Sequence, residues 1–336
     1  MAPAEDNGSF AFQATFERRW GHLTRPHVRA LAWLLDAPDL LDPAAPYWGG
    51  QIATLPVPDA ATAVWLAALE DDPAPLDAAL GGRFYSRLGL YAEKLLAFYF
   101  EQQGILVAHG LQVRASRNDT VGEFDFLLRD GGRLLHWEFA TKFYLMAAPD
   151  GAPAAQGLGA PAENRFHHLI GPNLADTLGI KMHKILDRQL ALARHPAARS
   201  LLPQAVDDAQ ALVKGWLFYR DGIAPVIDGI AARHNRGFWC PLAQTGSLAG
   251  GAYVIVPRMS WLAPLKAACA SMEVCEPARL QAAVAERFAI QAAPLLVAAV
   301  DEENGWLIER RRGFIVPDDW LAQAASRRQA GTLPSA

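Results

Sequence analysis

VGEFDFLLRDGGRLLHWEFATKFYL, residues 121–145, reads as two β-strands joined by a glycine turn. Phe124, Phe126 and Leu128 alternate with Glu123, Asp125 and Leu127. Trp137, Phe139, Thr141 and Phe143 alternate with His136, Glu138, Ala140 and Lys142, again the two-residue period of a strand. Gly131-Gly132 supplies the positive φ angles of a two-residue hairpin. Counting outward from that turn sets Asp125 opposite Glu138 on one face. A turn at Asp130-Gly131 would make the pair diagonal and leave both acids on that face. Directly opposed Cβ atoms lie about 4.5–5.5 Å apart, and like charges there destabilise a sheet. Two carboxylates so placed, with Lys142 further along, call for a cation.

The surrounding chain restricts what such a site can serve. Its 336 residues are 51% apolar and 20% charged, enough for one large domain or two small ones. The net charge of −4 gives no general attraction to nucleic acid, so a nucleic-acid surface would need its basic residues gathered in one place. Apolar runs such as Ala292–Val300 are too short to cross a bilayer, and MAPAEDNGSF lacks the order of a signal peptide. Cys240, Cys269 and Cys275 have no His partner at metal spacing, which predicts reduced thiols rather than a zinc site. These features give the expectation of a cytoplasmic, membrane-free protein.

Upstream, residues 1–10 are expected to fray. The pattern over 12–35 is helical and is split by Pro26, 37–57 is loop, and Ala60–Ala68 is a short helix. Arg83–Gln103 predicts a long helix with Phe84, Leu88, Tyr91, Ala92, Leu95, Leu96 and Tyr99 on its apolar stripe and Gly104 at its end. Glu93 sits at the edge of that stripe. A strand over 105–114 then leads into the hairpin.

Downstream, 146–179 has no periodicity, and so long a loop beside the carboxylates predicts a functional segment. A helix over about 178–195 places Lys181, Lys184 and Arg188 on one basic face, with His195. Leu212–Tyr219 and Tyr253–Pro257 read as buried strands separated by a turn-rich connection holding Arg233, His234, Arg236 and Trp239. Next come a helix near 277–288, a hairpin over 294–316 turning at Asn304-Gly305, and a helix from Asp318. There is no internal repeat, phosphate-binding glycine loop or nucleophile elbow.

A helix bearing Glu93, then three antiparallel strands with Asp125 on the second and Glu138 on the third, resembles the core of the PD-(D/E)xK nuclease superfamily. LGLYAEKLLAFYF (88–100), GEFDFLL (122–128), LHWEFATKFYL (135–145) and GPN (171–173) also resemble a bacterial family described only as a domain of unknown function, at the edge of that superfamily. The resemblance implies an α/β fold: a restriction-endonuclease-like αβββαβ core with a central mixed sheet over 81–258, an N-terminal helical flank over 1–80 and a C-terminal α+β extension over 259–336. It further implies a Mg²⁺ or Mn²⁺ site on Asp125 and Glu138, joined by Glu93 and the Phe139 carbonyl, with catalytic lysine assistance.

The superfamily places that lysine two residues after the acid, where this chain has Ala140. Lys142 lies four residues on, about 13 Å along an extended strand. Either a bulge brings Lys142 back, or Lys184 reaches in from the next helix, or catalysis is lost. The leading expectation is a Mg²⁺-dependent nuclease acting on DNA or RNA, with Lys181, Lys184 and Arg188 contacting nucleic acid. Its rivals are a nuclease-like domain that binds without cutting and a protein-interaction scaffold.

Overall fold

The computed structural model describes residues 11–82, 85–116, 119–147, 165–220, 222 and 224–331. Two expectations therefore lie outside the described residues: the frayed segment 1–10 and most of the loop expected over 146–179, namely 148–164.

Four helices come first: α1 (Ala11–Trp20), α2 (Pro26–Asp36), α3 (Ala60–Asp71) and α4 (Ala74–Leu80). Pro26 stands at the first position of α2, where the missing N–H costs nothing. Asp59 caps α3 by accepting from the Thr62 N–H. The fifth helix, α5 (Leu88–Gln102), starts later than its apolar stripe suggests, because Arg87 is extended. Three long strands follow, β1 (Leu106–Ser116), β2 (Asp119–Asp130) and β3 (Arg133–Met146), then the short β4 (Leu169–Ile170).

Helix α6 (Leu178–Lys184) does not run on to His195 as the sequence predicts. Residues Ile185–Gln189 widen into a π turn, and Leu192–Arg194 tighten into a 3₁₀ turn. Apart from a single helical turn at Pro196–Arg199 and three short 3₁₀ turns, the rest comprises β5 (Asp208–Tyr219), β6 (Arg236–Pro241), β7 (Tyr253–Ile255), β8 (Lys266–Ala268), α7 (Pro277–Ile290), β9 (Leu295–Glu303), β10 (Trp306–Val316) and α8 (Trp320–Gly331).

Among the described residues all ten strands belong to one mixed sheet, ordered β1-β2-β3-β5-β6-β10-β9-β7, with β4 on β3 and β8 on β10. The chain is thus a mixed α/β protein, and its sheet continues across the boundary expected near 258. Strand β6 was read as part of a turn-rich connection. Its six residues, RGFWCP, contain Gly and Pro and show no alternation, being buried between two strands. Gly237 is required there, since a Cβ would meet the Phe218 ring at 2.5 Å.

One face of the sheet packs Phe126, Phe139, Phe143 and Trp216 against α1, α2 and α5. The other packs Ala140, Tyr144, Val213 and Leu217 against Leu178 and Met182 of α6 and Ile185 beyond it. The β2–β3 hairpin has the register counted from Gly131-Gly132: Asp130 pairs with Arg133 and Phe126 with Trp137. Only Gly131 has positive φ, +58°, so the turn needs one left-handed residue, not two. The second hairpin has positive φ at both Asn304 and Gly305, as a type I′ turn requires.

On its far edge β3 pairs in parallel with β5 from Leu135–Asp208 to Leu145–Phe218. Gly215 makes this possible opposite Lys142, because a Cβ there would meet the Lys142 carbonyl oxygen at 1.9 Å. Backbone cannot give way as a flexible side chain can, so Gly215→Ala should destabilise by about 1–3 kcal/mol or more. Gly132→Ala, with open space around its Cβ, should be nearly neutral. Urea unfolding of both variants checks the contrast; equal midpoints would contradict the close approach.

Candidate active site

The β2–β3 ladder ends at Phe126–Trp137, and β4 pairs with β3 from Leu145 onward. Between these ladders, residues 138–144 of β3 have no antiparallel neighbour among the described residues. Asp125 and Glu138 sit at the point of divergence. The side-chain alternation of β2 also breaks here. Phe124 packs with Leu127 while Phe126 lies on the opposite face, contrary to the strict alternation read from the sequence. Released from the ladder, the Asp125 carboxylate turns across to β3 and accepts from the Phe139 N–H at 2.9 Å.

The two acids lie close together: the charge of Glu138 acts on Asp125, and Asp125 is bonded to the N–H of the residue that follows Glu138. Burial and then the charge of Glu138 push Asp125 up to about 7, against the opposing Phe139 N–H. Burial pushes Glu138 up to about 7 as well, opposed first by Lys181. The Glu138 side chain is 1% exposed, and its two oxygens are held separately. Oε1 bonds His136 Nε2 at 2.8 Å, and Oε2 accepts from the Gln189 amide.

His136 is itself fully buried, and burial drives its ring down to about 4, so it is neutral. Its Nδ1 has no partner among the described residues. A proton there would be stranded, which assigns it to Nε2, donating to Glu138. Edge-on contact with Phe124, ring centroids 4.7 Å apart, fixes the imidazole. This orienting histidine was visible in the sequence as one more polar residue of β3, and nothing in its spacing gave it a role.

Gln189 closes the π turn. Its Oε1 accepts from Lys181 Nζ at 3.3 Å, so one amide joins Lys181 to Glu138. Lys181 is partly buried, and burial lowers its pKa against the pull of Asp125 and Glu138. Lys184 and Arg188, expected on the same face, are exposed; the widened turn separates them from the inward-facing Lys181 and Gln189.

Lys142 instead pairs with Asp176 at 2.8 Å, and the Tyr144 hydroxyl donates to the same Asp176 oxygen at 3.2 Å. Glu93 approaches from α5, and its charge acts on both buried acids. Its Oε1, however, is bonded to His109 Nε2 at 2.8 Å. The structure thus brings together Asp125, Glu138 and Lys181, with Glu93 nearby and Lys142 turned to a neighbouring pocket.

Among the described residues no group of three or more His, Cys, Asp and Glu side chains could hold a metal ion. The Asp125–Glu138 pair suits a hard cation that keeps most of its waters, which needs one or two carboxylates. One Glu138 oxygen is held by an uncharged amide, so the demand for positive charge is only partly met by Lys181.

Both acids stand above their unfolded values of about 4. Their retained protons therefore favour the folded state most below about pH 4, and that advantage is lost as pH rises through about 7. Thermal unfolding in EDTA should show stability falling from pH 4 to 7. Asp125→Asn should flatten the fall and raise Tm at pH 8 by about 2–4 °C. A wild-type profile that is flat across this range would contradict the coupled pair.

A family model described as a domain of unknown function, DUF1853, matches residues 29–316. No curated protein and no solved structure matches the chain.

Proposed function

The chain belongs to the DUF1853 family across residues 29–316, and from the site itself we propose that it is a divalent-metal-dependent phosphodiesterase acting on nucleic acid. The observation that carries the reading is the juxtaposition of two buried carboxyls at the point where β2 leaves β3, both pushed up to about 7, with Lys181 as their neighbouring cation. Like charges forced together out of water are unfavourable in themselves, and they concentrate where function requires them. The order α5-β1-β2-β3-β4-α6-β5, in which β4 is a two-residue addition and β5 runs parallel to β3, supports a restriction-endonuclease-like αβββαβ core.

In this reading Asp125 and Glu138 would hold the cation. When bound, it would lower the pKa of a water and offset charge on the phosphate. His136 keeps the Glu138 carboxylate in one orientation, as an outer hydrogen-bond partner does for a ligating side chain. The Phe139 N–H does the same for Asp125. The Lys181 ammonium hydrogen-bonds a phosphate oxygen and stabilises the charge that develops there as water adds to phosphorus and the ester P–O bond breaks. This gives Lys181 the role that the sequence offered to Lys142 or Lys184. Exposed Lys184 and Arg188 lie further along the same segment and contact the phosphate backbone.

Binding without cutting is the second reading, favoured by the absence of a three-residue metal group among the described residues. One assay separates the two: labelled single-stranded, double-stranded and branched DNA and RNA with Mn²⁺, wild type beside Asp125→Asn and Lys181→Met. The proposal expects cleavage by wild type, loss in Asp125→Asn with binding retained, and a fall of about 10²–10³-fold in Lys181→Met. Mn²⁺ should also raise the wild-type Tm with concentration and leave that of Asp125→Asn unchanged. Binding without cleavage by wild type would establish the second reading, and no binding at low salt would exclude both.

A further inference from the structure

A second pocket lies along β3 from the acids, at the other end of its unpaired edge. It encloses about 250 Å³ between the start of α5, the strand and the loop 171–176, and Arg87, Gly89, Thr141, Lys142, Asp176 and Arg258 are among its lining residues. Lys142 is four residues from Glu138, about 13 Å along an extended strand. The pocket is therefore separate from the acids yet on the same edge.

Its charge is unbalanced. Among the described residues three cations line it with one carboxylate, Asp176, already held by Lys142 at 2.8 Å and by the Tyr144 hydroxyl. Among the described residues neither Arg87 nor Arg258 has an acidic partner. Arg258 rests over the Trp261 ring, 5.8 Å from its centroid, which holds a guanidinium without neutralising it. Arg87 precedes a 15-residue helix whose first turn has no capping side chain and no acid, so the positive helix end adds to the field.

The geometry points to a subsite for a phosphate monoester. Two guanidinium groups offer the paired donors that fit adjacent oxygens of a tetrahedral anion. The surplus of two positive charges, three cations against one carboxylate, matches a terminal phosphate, which carries about −1.5 to −2 near neutral pH. An internal phosphodiester carries one negative charge and would leave the pocket unbalanced. Resting on the phosphodiesterase reading for the strand that bears it, the ligand is the phosphorylated end of the nucleic acid whose backbone reaches Asp125 and Glu138.

The test is equilibrium binding in EDTA, with no metal in any arm. The probes are one labelled oligonucleotide with a 5′-phosphate, a 3′-phosphate or hydroxyl ends, and inorganic phosphate as competitor and thermal stabiliser. One phosphorylated end should bind about tenfold or more tightly than the hydroxyl-ended strand, as one or two charge-assisted hydrogen bonds give. Arg87→Gln/Arg258→Gln should abolish that difference while hydroxyl-ended binding stays within about twofold, and inorganic phosphate should raise the wild-type Tm alone. Stabilisation by inorganic phosphate that is lost in the double variant, with equal affinity for all ends, would keep the phosphate site and assign it to a small phosphorylated molecule. Equal affinity for all ends without such stabilisation overturns the subsite, as does an end preference that survives the double variant. Failure of cleavage in the Mn²⁺ assay leaves this result standing.

Discussion

Strand β3 is held along one edge and released along the other. The β5 edge is hydrogen-bonded in parallel through the strand, which places Gly215 against Lys142. On the opposite edge β2 leaves after Trp137 and β4 arrives only at Leu145. A strand edge left open inside a sheet exposes backbone donors and acceptors that must find partners. Here the Asp125 side chain takes one of them, the Phe139 N–H, and is anchored by it beside Glu138. The rigid β5 ladder makes that geometry reproducible, because β3 cannot move to relieve the repulsion between the two acids.

The register of the hairpin was legible because two signals agreed. A Gly-Gly turn and a two-residue apolar period admit few pairings, and the observed one runs as counted to Phe126–Trp137, with Asp125 and Glu138 the next residues beyond the ladder. Asn304-Gly305 between apolar runs was equally informative about β9 and β10. What the sequence could not supply depends on departures from regular periods. The slip of alternation at Phe124 and the π turn at Ile185–Gln189 each interrupt a regular pattern. That is why a helical wheel groups Lys181 with Lys184 and Arg188, while the folded chain groups it with Gln189 and the acids. Long-range parallel pairing was likewise hidden, and β6 with it, since a short strand buried on both faces has no alternation to read.

The same sheet holds another buried ionic cluster, and the contrast between the two separates structure from chemistry. Arg312 is fully buried and bonds both oxygens of Glu309, at 2.6 and 2.7 Å. Its remaining donors go to the carbonyls of Trp261, Leu262 and Ala263, and Glu309 also accepts from the Leu265 N–H. Nearby, Arg29 bonds Glu17 at 2.6 Å and the carbonyls of Trp20, Leu23 and Pro264. Every charge there has an opposite charge and several further hydrogen bonds, as a buried pair must to offset its desolvation. That cluster ties the N-terminal helices to β10 and has no capacity left for a ligand.

At the other cluster the arithmetic does not close. Two acids share one partly buried lysine, one carboxylate oxygen is satisfied by an amide, and both groups are pushed up to about 7. Replacing such a pair with apolar residues would favour folding, so folding is not a reason to keep it. His136 adds to the cost, since it holds Glu138 while its own Nδ1 finds no partner among the described residues. A side chain that accepts an unsatisfied buried nitrogen in order to orient a carboxylate makes sense where the carboxylate's direction matters more than the stability lost. The unbalanced acids and the unbalanced cations of the neighbouring pocket then describe one requirement. Along a single open strand edge, positive charge is wanted at one end and negative charge at the other, which is the demand that a metal ion and a phosphorylated strand would meet together.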